Sequence, residues 1–366
     1  MSRDPALLAE CQALVRELRR RSTIAALRSA PDWPELDRRL RAVLSTVRRH
    51  APGREPDAPA DVTRVRAVHW NIEHGNRYPQ VEVALRTHPQ LAGADLLTLN
   101  EVDLGMARAA NRDVAADLAT ALGLHAAWAP LFFETTPGRH DDASTSAGRE
   151  NQESLFGLAI LSRWPIGETR IVELPGPEEY EFDVEGMYGR HIALVADIER
   201  PGAPFVAITA HLEVHRTREH RAAQMRVLLE ALRGETRPLV LGGDLNSSTF
   251  DRGRWRDAPA GALVLAAWPG GLLRRRLLWP DRGRAREPLF DALREAAFEW
   301  ERFADRQPSL HLRFVRLPEA RGPLASPLAR PILRWAERRA HLRLDWFAAR
   351  GWRAGRGATV RGLDGP

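Results

Sequence analysis

The apolar positions of the chain follow two textures. Residues 4 to 49 carry them three and four apart, in LLAECQALVRELRR and again in LDRRLRAVLSTVRR, with an interruption from Pro31 to Pro34. That spacing predicts two helices in a hairpin. APGREPDAPAD, residues 51 to 61, is rich in Pro, Ala and Asp and reads as a linker. From Val62 the period shortens to two. RVRAVHWNI predicts a strand ending at Asn71, ADLLTLNEVD a second at 94 to 103, and LFGLAILSRW a third at 155 to 164. HIALVADIE and PFVAITAHLE predict two more, turned as a hairpin around Arg200, Pro201 and Gly202. Helices are expected from about Pro79 to Arg86, over 111 to 122 with Asn111 as cap, and over RTREHRAAQMRVLLEALR, which leads directly into PLVLGGDLN. Residues 135 to 150 are polar and irregular and read as a loop. After Asn246 the pattern loosens: 250 to 290 is rich in Pro, Gly, Trp and Arg, DALREAAFEWERF and ILRWAERR read as helices, 318 to 331 as a Pro-rich loop and LRLDWFAARGW as a strand. The expected organisation is a small helical N-terminal appendage over 1–50, a linker over 51–61 and a main domain over 62–366.

The totals add limits. At 366 residues with 44% apolar residues and 11 tryptophans, the chain has ample material for a core and is not of disordered composition. It has no apolar run of about eighteen residues, and MSRDPALLAECQALVRELRRR has no signal-peptide pattern. The expectation is a soluble, unsecreted, cytoplasmic protein without a membrane span. The single cysteine, Cys11, has no internal disulfide partner and sits on an amphipathic segment as a buried thiol. The net charge is +6, and since lysine is absent all 54 basic residues are arginine. Arginine grips phosphate bidentately, which raises phosphate-bearing partners modestly. The N-terminal arginines read as a solvated helix face, and docking of a protein partner by these helices is left open.

Candidate chemistry centres on PLVLGGDLNS at 238 to 247. Leu239 to Leu241 read as a buried strand, Gly242-Gly243 allow a turn or a close approach, and Asp244 and Asn246 follow. Period-two alternation puts residues 244 and 246 on one side, a carboxylate beside an amide. That pair suits a phosphate, a hard metal ion or an attacking water; the plain alternative is an Asx turn. His211 and His215 in HLEVH have the spacing of a zinc pair, but a strand precedes them and the glutamate is not adjacent, which argues against the metalloprotease helix. His74 reads as a solvent-facing loop residue, and Glu73 and Asp103 as supports for a metal or as structural hydrogen-bond partners. The run Arg274 to Arg276 reads as a solvated face or a phosphate contact, and Trp128, Trp164 and Trp346 as core.

WNIEHG at 70–75, LNEVD at 99–103, GLAILSR at 157–163, GR at 189–190, TAHLE at 209–213, GGDLN at 242–246 and RLDWFAARG at 343–351, in this order, resemble the endonuclease/exonuclease/phosphatase superfamily, the DNase-I-like fold. The resemblance covers residues 62 to 366. It implies an α+β, four-layer sandwich of two mixed sheets packed face to face with helices outside. It implies that Glu101 is the main metal ligand with Asn71 beside it, that Asp244 orients or deprotonates the attacking water, and that Asn246 holds a phosphate or metal-bound oxygen. His211 corresponds to a phosphate-contacting residue, Arg190 to one near the substrate, and Asp345 to the aspartate that orients a catalytic histidine. The implied cofactor is Mg2+ or Mn2+, and the implied reaction is in-line attack of an activated water on a phosphodiester or phosphomonoester. The family's closing Ser-Asp-His strand has no counterpart in VRGLDGP. Three expectations follow: a sequence stopping short of that strand, which is preferred, a remote histidine such as His311 or His341 in its place, or impaired catalysis. The functional expectation is a metal-dependent phosphoesterase, with a DNA or RNA endonuclease and a non-catalytic phosphate- or metal-binding protein as alternatives.

Overall fold

The computed structural model describes residues 4–53, 63–138, 146, 148–176, 178–252, 257–311, 330–361 and 363. It divides into two compact units, the first chiefly Met1–His211 with Arg237–Gly243, the second Leu212–Thr236 with Asp244–Arg361. The division does not fall at the expected 51–61 linker, most of which lies outside the described residues.

The first unit opens with three helices, α1 (Pro5–Leu18), α2 (Ile24–Arg28) and α3 (Trp33–Leu44), where two were expected. The additional turn, α2, starts at Thr23, whose side chain accepts a hydrogen bond from the Ala26 N–H. Cys11, Leu14 and Leu18 form the buried stripe of α1, and Leu36, Leu40 and Leu44 that of α3. Burial pushes the Cys11 thiol up to about 12, so it stays protonated and inert.

The strands of this unit are β1 (Arg48–His50), β2 (Ala67–His74), β3 (Leu96–Leu104), β4 (His125–Glu134), β5 (Leu155–Ser162), β6 (Ile166–Glu173), β7 (Met187–Gly189), β8 (Ile192–Ile198), β9 (Phe205–His211) and β10 (Leu239–Asp244). The first sheet runs β1-β4-β5-β3-β2, with β7 also on β4; β2 and β3 are parallel and the other pairs antiparallel. The N-terminal segment therefore ends as an edge strand of the main sheet. Within the unit the second sheet runs β10-β9-β8-β6, with β8 and β9 as the expected hairpin. Every residue of β5 is buried, because the second sheet covers one face and α5 (Val114–Leu122) the other. α4 spans Tyr78–Thr87 as predicted. The cap of α5 is Asp113, which accepts from Ala116 N at 3.1 Å; Asn111, the expected cap, instead has φ +57° and bonds Glu150 O. Trp128 and Trp164 are core. Half of the 135–150 loop, residues 139–145 and 147, lies outside the described residues.

In the second unit the predicted amphipathic helix is Arg218–Ala231. The loosely patterned stretch after it holds two helices, Asp257–Ala267 and Gly270–Leu278. DALREAAFEWERF is broken: its helix ends at Glu295, Ala297 has φ +61°, and Glu301–Phe303 forms a 3-10 turn. Helix Arg330–Glu337, the short pair β11 (Leu310–His311) and β12 (His341–Leu342), and β13 (Asp345–Arg350) complete the unit. Most of the expected 318–331 loop is outside the described residues. Leu265, Leu273, Leu277, Ala336, Leu342 and Leu344 share a core cluster.

Beneath the loop that follows β10 lies an ion pair with no solvent exposure, Arg221 to Glu287 at 2.7 Å. Arg221 also donates to Phe250 O, and Glu287 accepts from Thr249 N at 2.8 Å. Glu287→Ala would leave the guanidinium charge buried without its partner, a loss of about 3–5 kcal/mol. Chemical denaturation reads this directly. A loss below about 1 kcal/mol, typical of exposed pairs, would mean that the pair does not hold this loop.

Candidate functional site

In the first unit the predicted ligands sit where two strands bulge at the same end. The β2–β3 register shifts between Asn71 and His74, and the β3–β5 register between Leu99 and Val102. Bulges re-aim side chains, and here Glu73, His74 and Glu101 take φ values of +50°, +66° and +52°. A non-glycine residue in this region costs on the order of 1–3 kcal/mol and persists only when its surroundings hold it there. One residue before Glu101, the fully buried Asn100 donates to Thr209 Oγ1 at 2.9 Å and ties the two sheets together.

The carboxylate of Glu101 is held from both sides. Asn71 Nδ2 donates to its Oε1 at 2.9 Å, and His74 Nε2 lies 3.2 Å from its Oε2. Behind them is a buried charged chain. His74 Nδ1 is 3.5 Å from Asp103, Arg108 grips Asp103 with two bonds of 2.8 and 2.9 Å, and Arg108 also reaches Glu134 at 2.7 Å. Phe156 closes the chain on one side, edge-on to the His74 ring at 5.4 Å. Burial by itself would raise the Glu101 carboxyl, but the nearby His74 and His211 imidazoles, the Asn71 amide and Arg108 outweigh it and hold it below the usual glutamate range. Asp103 is likewise buried, and Arg108 and His74 hold it low. For His74, burial and Arg108 act downward, while Glu101 and Asp103 prevail and raise it.

These contacts revise one expectation and agree with another. His74 is a partly buried partner of Glu101 and not a solvent-facing loop residue, and Asp103 is a structural hydrogen-bond partner, engaged by Arg108. His211 ends β9 and lies close enough to Glu101 to help keep it ionised. Arg190, expected near the substrate, pairs instead with Glu173 at 2.9 Å and donates to Ser45 Oγ at 3.0 Å.

The second unit holds the other predicted residues. Asp244 is the last residue of β10, and Asn246, at φ +48°, has already left the strand, so the alternation expected to align them does not reach it. An Asx turn forms instead: Asp244 Oδ1 accepts from Asn246 N at 3.0 Å. Asn246 Nδ2 donates to Leu212 O at 2.6 Å, which fixes the amide, and Leu212 N donates to the main-chain carbonyl of Asp244. The turn is stitched to the start of β13 by Leu245 N to Leu344 O, Ser247 Oγ to Arg343 O, and Trp346 Nε1 to Ser247 Oγ at 2.7 Å. Asp345 opens β13, its N–H directed at Ser309 Oγ. His311 and His341 stack on each other with ring centres 4.3 Å apart. Arg276, expected on a solvated face or a phosphate, bonds Thr249 and lies over Phe250.

The donors around Glu101 fit a hard divalent cation. Each carboxylate oxygen has one polar partner and a further lone pair, and an amide stands alongside. Magnesium and manganese take such oxygen ligands and keep several waters.

Among solved structures, the chain resembles an endonuclease/exonuclease/phosphatase from Beutenbergia cavernae at 19% identity and TM-score 0.45, covering 78% of this chain and 64% of that one. The human Nocturnin catalytic domain with bound sulfate aligns at 13% identity and TM-score 0.41, covering 83% and 85%. The Bacteroides thetaiotaomicron mannosyl-6-phosphatase aligns at 12% and 0.41, covering 79% and 86%. No curated protein matches by sequence. The sequence profile described as "Endonuclease/Exonuclease/phosphatase family" matches residues 68–297, more than half of the chain, which therefore belongs to that family.

Proposed function

We propose that the chain is a metal-dependent phosphoesterase that hydrolyses a phosphodiester or phosphomonoester by in-line attack of water. The observation that carries this reading is Glu101: a partly buried carboxylate kept ionised by its neighbours, held in a left-handed backbone conformation and oriented by Asn71 and His74. A group under such constraint at a bulged sheet end is the kind that recurs at active sites. The family setting supports it, since the family embraces phosphatases, nucleases and phosphodiesterases.

Each residue has a task set by the charge of the substrate. A phosphate ester repels a nucleophile, so the reaction needs charge neutralisation at the non-bridging oxygens and a positioned water. Glu101 and Asn71 are the proposed holders of a Mg2+ or Mn2+ ion, which when bound supplies that neutralisation. Asp244 receives the proton of the attacking water or aligns it. Asn246, its amide fixed through Leu212 O, contacts a phosphoryl oxygen. His211 donates to another, and Asp345 is the orienting carboxylate for an imidazole. Arg190 has no part in this assignment, its guanidinium being engaged with Glu173 and Ser45.

Hydrolysis of bis-p-nitrophenyl phosphate and of plasmid DNA, with Mg2+ or Mn2+ and with chelator, tests the reading. Metal-dependent turnover of either is expected. A folded sample that binds Mn2+ yet turns over neither these nor a panel of phosphomonoesters would favour the non-catalytic alternative. Asp244→Ala should lower turnover by about a hundredfold or more, the usual contribution of a positioned acid or base. Glu101→Ala should abolish metal-dependent turnover, with circular dichroism melts of both variants close to the parent. Parental rates in both would remove the site assignment.

Outer partners of metal ligands typically contribute about 10–100-fold in affinity. His74→Ala should weaken Mn2+ binding, followed by electron paramagnetic resonance, by that amount. Unchanged affinity would show that His74 only fills space.

A further inference from the structure

In the second unit, helices Asp257–Ala267, Gly270–Leu278 and Arg330–Glu337 close around a small apolar core, yet they also turn large apolar side chains to solvent. Leu263 is 67% exposed, Leu272 58%, Trp335 45% and Trp268 39%. These four make up half of the large apolar side chains that are exposed among the described residues.

They are not scattered. Arg339 lies over the Trp335 ring at 4.1 Å and donates to Ala266 O and Trp268 O, joining the third helix to the end of the first. Leu263 precedes Ala266 by three positions and shares its helix face. Arg276 lies over Trp268 at 5.2 Å, and Leu272, four residues before it, shares the Arg276 face. Trp335 and Trp268 are thus linked through Arg339, Arg276 lies over Trp268, and Leu263 and Leu272 are the further exposed apolar side chains of the same helices.

That surface is basic. Over residues 257–278 and 330–340 the acidic residues are Asp257 and Glu337 alone. Among the described residues, none of Arg274, Arg275, Arg276, Arg334, Arg338 and Arg339 forms an ion pair with a carboxylate. Elsewhere in the chain arginines are commonly paired, as in Arg39 with Glu10, Arg163 with Asp95 and Arg237 with Asp197.

We propose that this three-helix face is a docking surface for an anionic phospholipid bilayer. Tryptophan and leucine enter the interfacial zone, where an amphipathic ring is favoured, while arginine reaches the phosphates with its aliphatic stem in apolar contact. Charge complementarity selects the bilayer: an apolar protein groove would meet these arginines at a desolvation cost, whereas lipid phosphates neutralise them at the interface. Among the described residues no helix is long and apolar enough to cross a membrane, so the contact is peripheral. The inference does not depend on the phosphoesterase reading.

The test uses the full chain with vesicles of phosphatidylglycerol and of phosphatidylcholine in co-sedimentation at about 0.1 M salt, where the Debye length is about 10 Å. The expected result is at least tenfold tighter binding to phosphatidylglycerol, with a blue shift of tryptophan emission. Leu272→Ser with Trp335→Ser should weaken that binding at least tenfold at an unchanged melting temperature, and Leu263→Ser, at the most exposed position, should weaken it independently. Arg274→Gln with Arg275→Gln should remove the preference for anionic lipid. Equal affinity for both vesicle types, or none, overturns the proposal. So does parental binding by the serine variants, which would leave only nonspecific adhesion of a basic protein. Light scattering that finds a dimer dissolved by the serine substitutions would assign the face to a second copy of this chain and also overturn it.

Discussion

Glu101 must stay negative although it is partly buried, its side chain 19% exposed, and the groups packed around it answer that demand. A buried carboxylate would take up a proton unless compensating groups lie close. Asn71 and His74 supply them directly, and Asp103 with Arg108 supplies them at one remove by holding His74 in place. The backbone pays attention to the same demand: without the bulge between Leu99 and Val102, Glu101 would lie in a regular strand facing one sheet surface. The Asn100 to Thr209 bond just behind it joins the two sheets through polar atoms, so the bulged end keeps its place between otherwise apolar layers.

The second unit solves a different problem with the same tools. Its proposed catalytic carboxylate follows two glycines and stands at the start of an irregular segment in which Asn246 and Thr249 both have positive φ. Irregular backbone that is buried needs partners for its polar groups. Arg221 and Glu287 provide them at Phe250 O and Thr249 N, while Ser247 provides them toward Arg343 and Trp346. The ion pair therefore acts through the loop: it replaces water around backbone groups that have no strand to bond to.

The strands were legible because their burial is periodic or continuous. β5 reads as an unbroken apolar run and lies covered on both faces, and the buried strand read at Leu239 to Leu241 is there, running on through Gly242 and Gly243 to Asp244. The fine geometry was not legible, since bulges and turns depend on pairing between distant segments. Alternation carried past Asp244 placed Asn246 on the same strand face, whereas a side chain bonding its own backbone ended the strand. His74 looked like a loop residue because its partners Asp103 and Glu101 lie some thirty residues away and face it only once β2 and β3 pair. Arg108 is hidden further still, since its second partner, Glu134, belongs to another strand. An unpaired histidine in NIEHG opposite two acidic residues in LNEVD was the available signal, usable only with the parallel register in hand.

The absence of lysine changes how the positive charge should be read. A guanidinium is a rigid fork that bonds two oxygens at once, whereas an ammonium is a single point of charge. Here forks close long-range contacts: Arg39 on Glu10, Arg237 on Asp197 and Arg306 on Asp281 each form two bonds to one carboxylate. A large part of the basic content is thus structural cross-linking, and the net charge of +6 is a poor guide to a nucleic-acid partner. What matters for recognition is where arginines have no carboxylate. The helices around Trp268 and Trp335 gather such arginines beside exposed apolar side chains, so charge and hydrophobicity are displayed together on one surface and not merely summed over the chain.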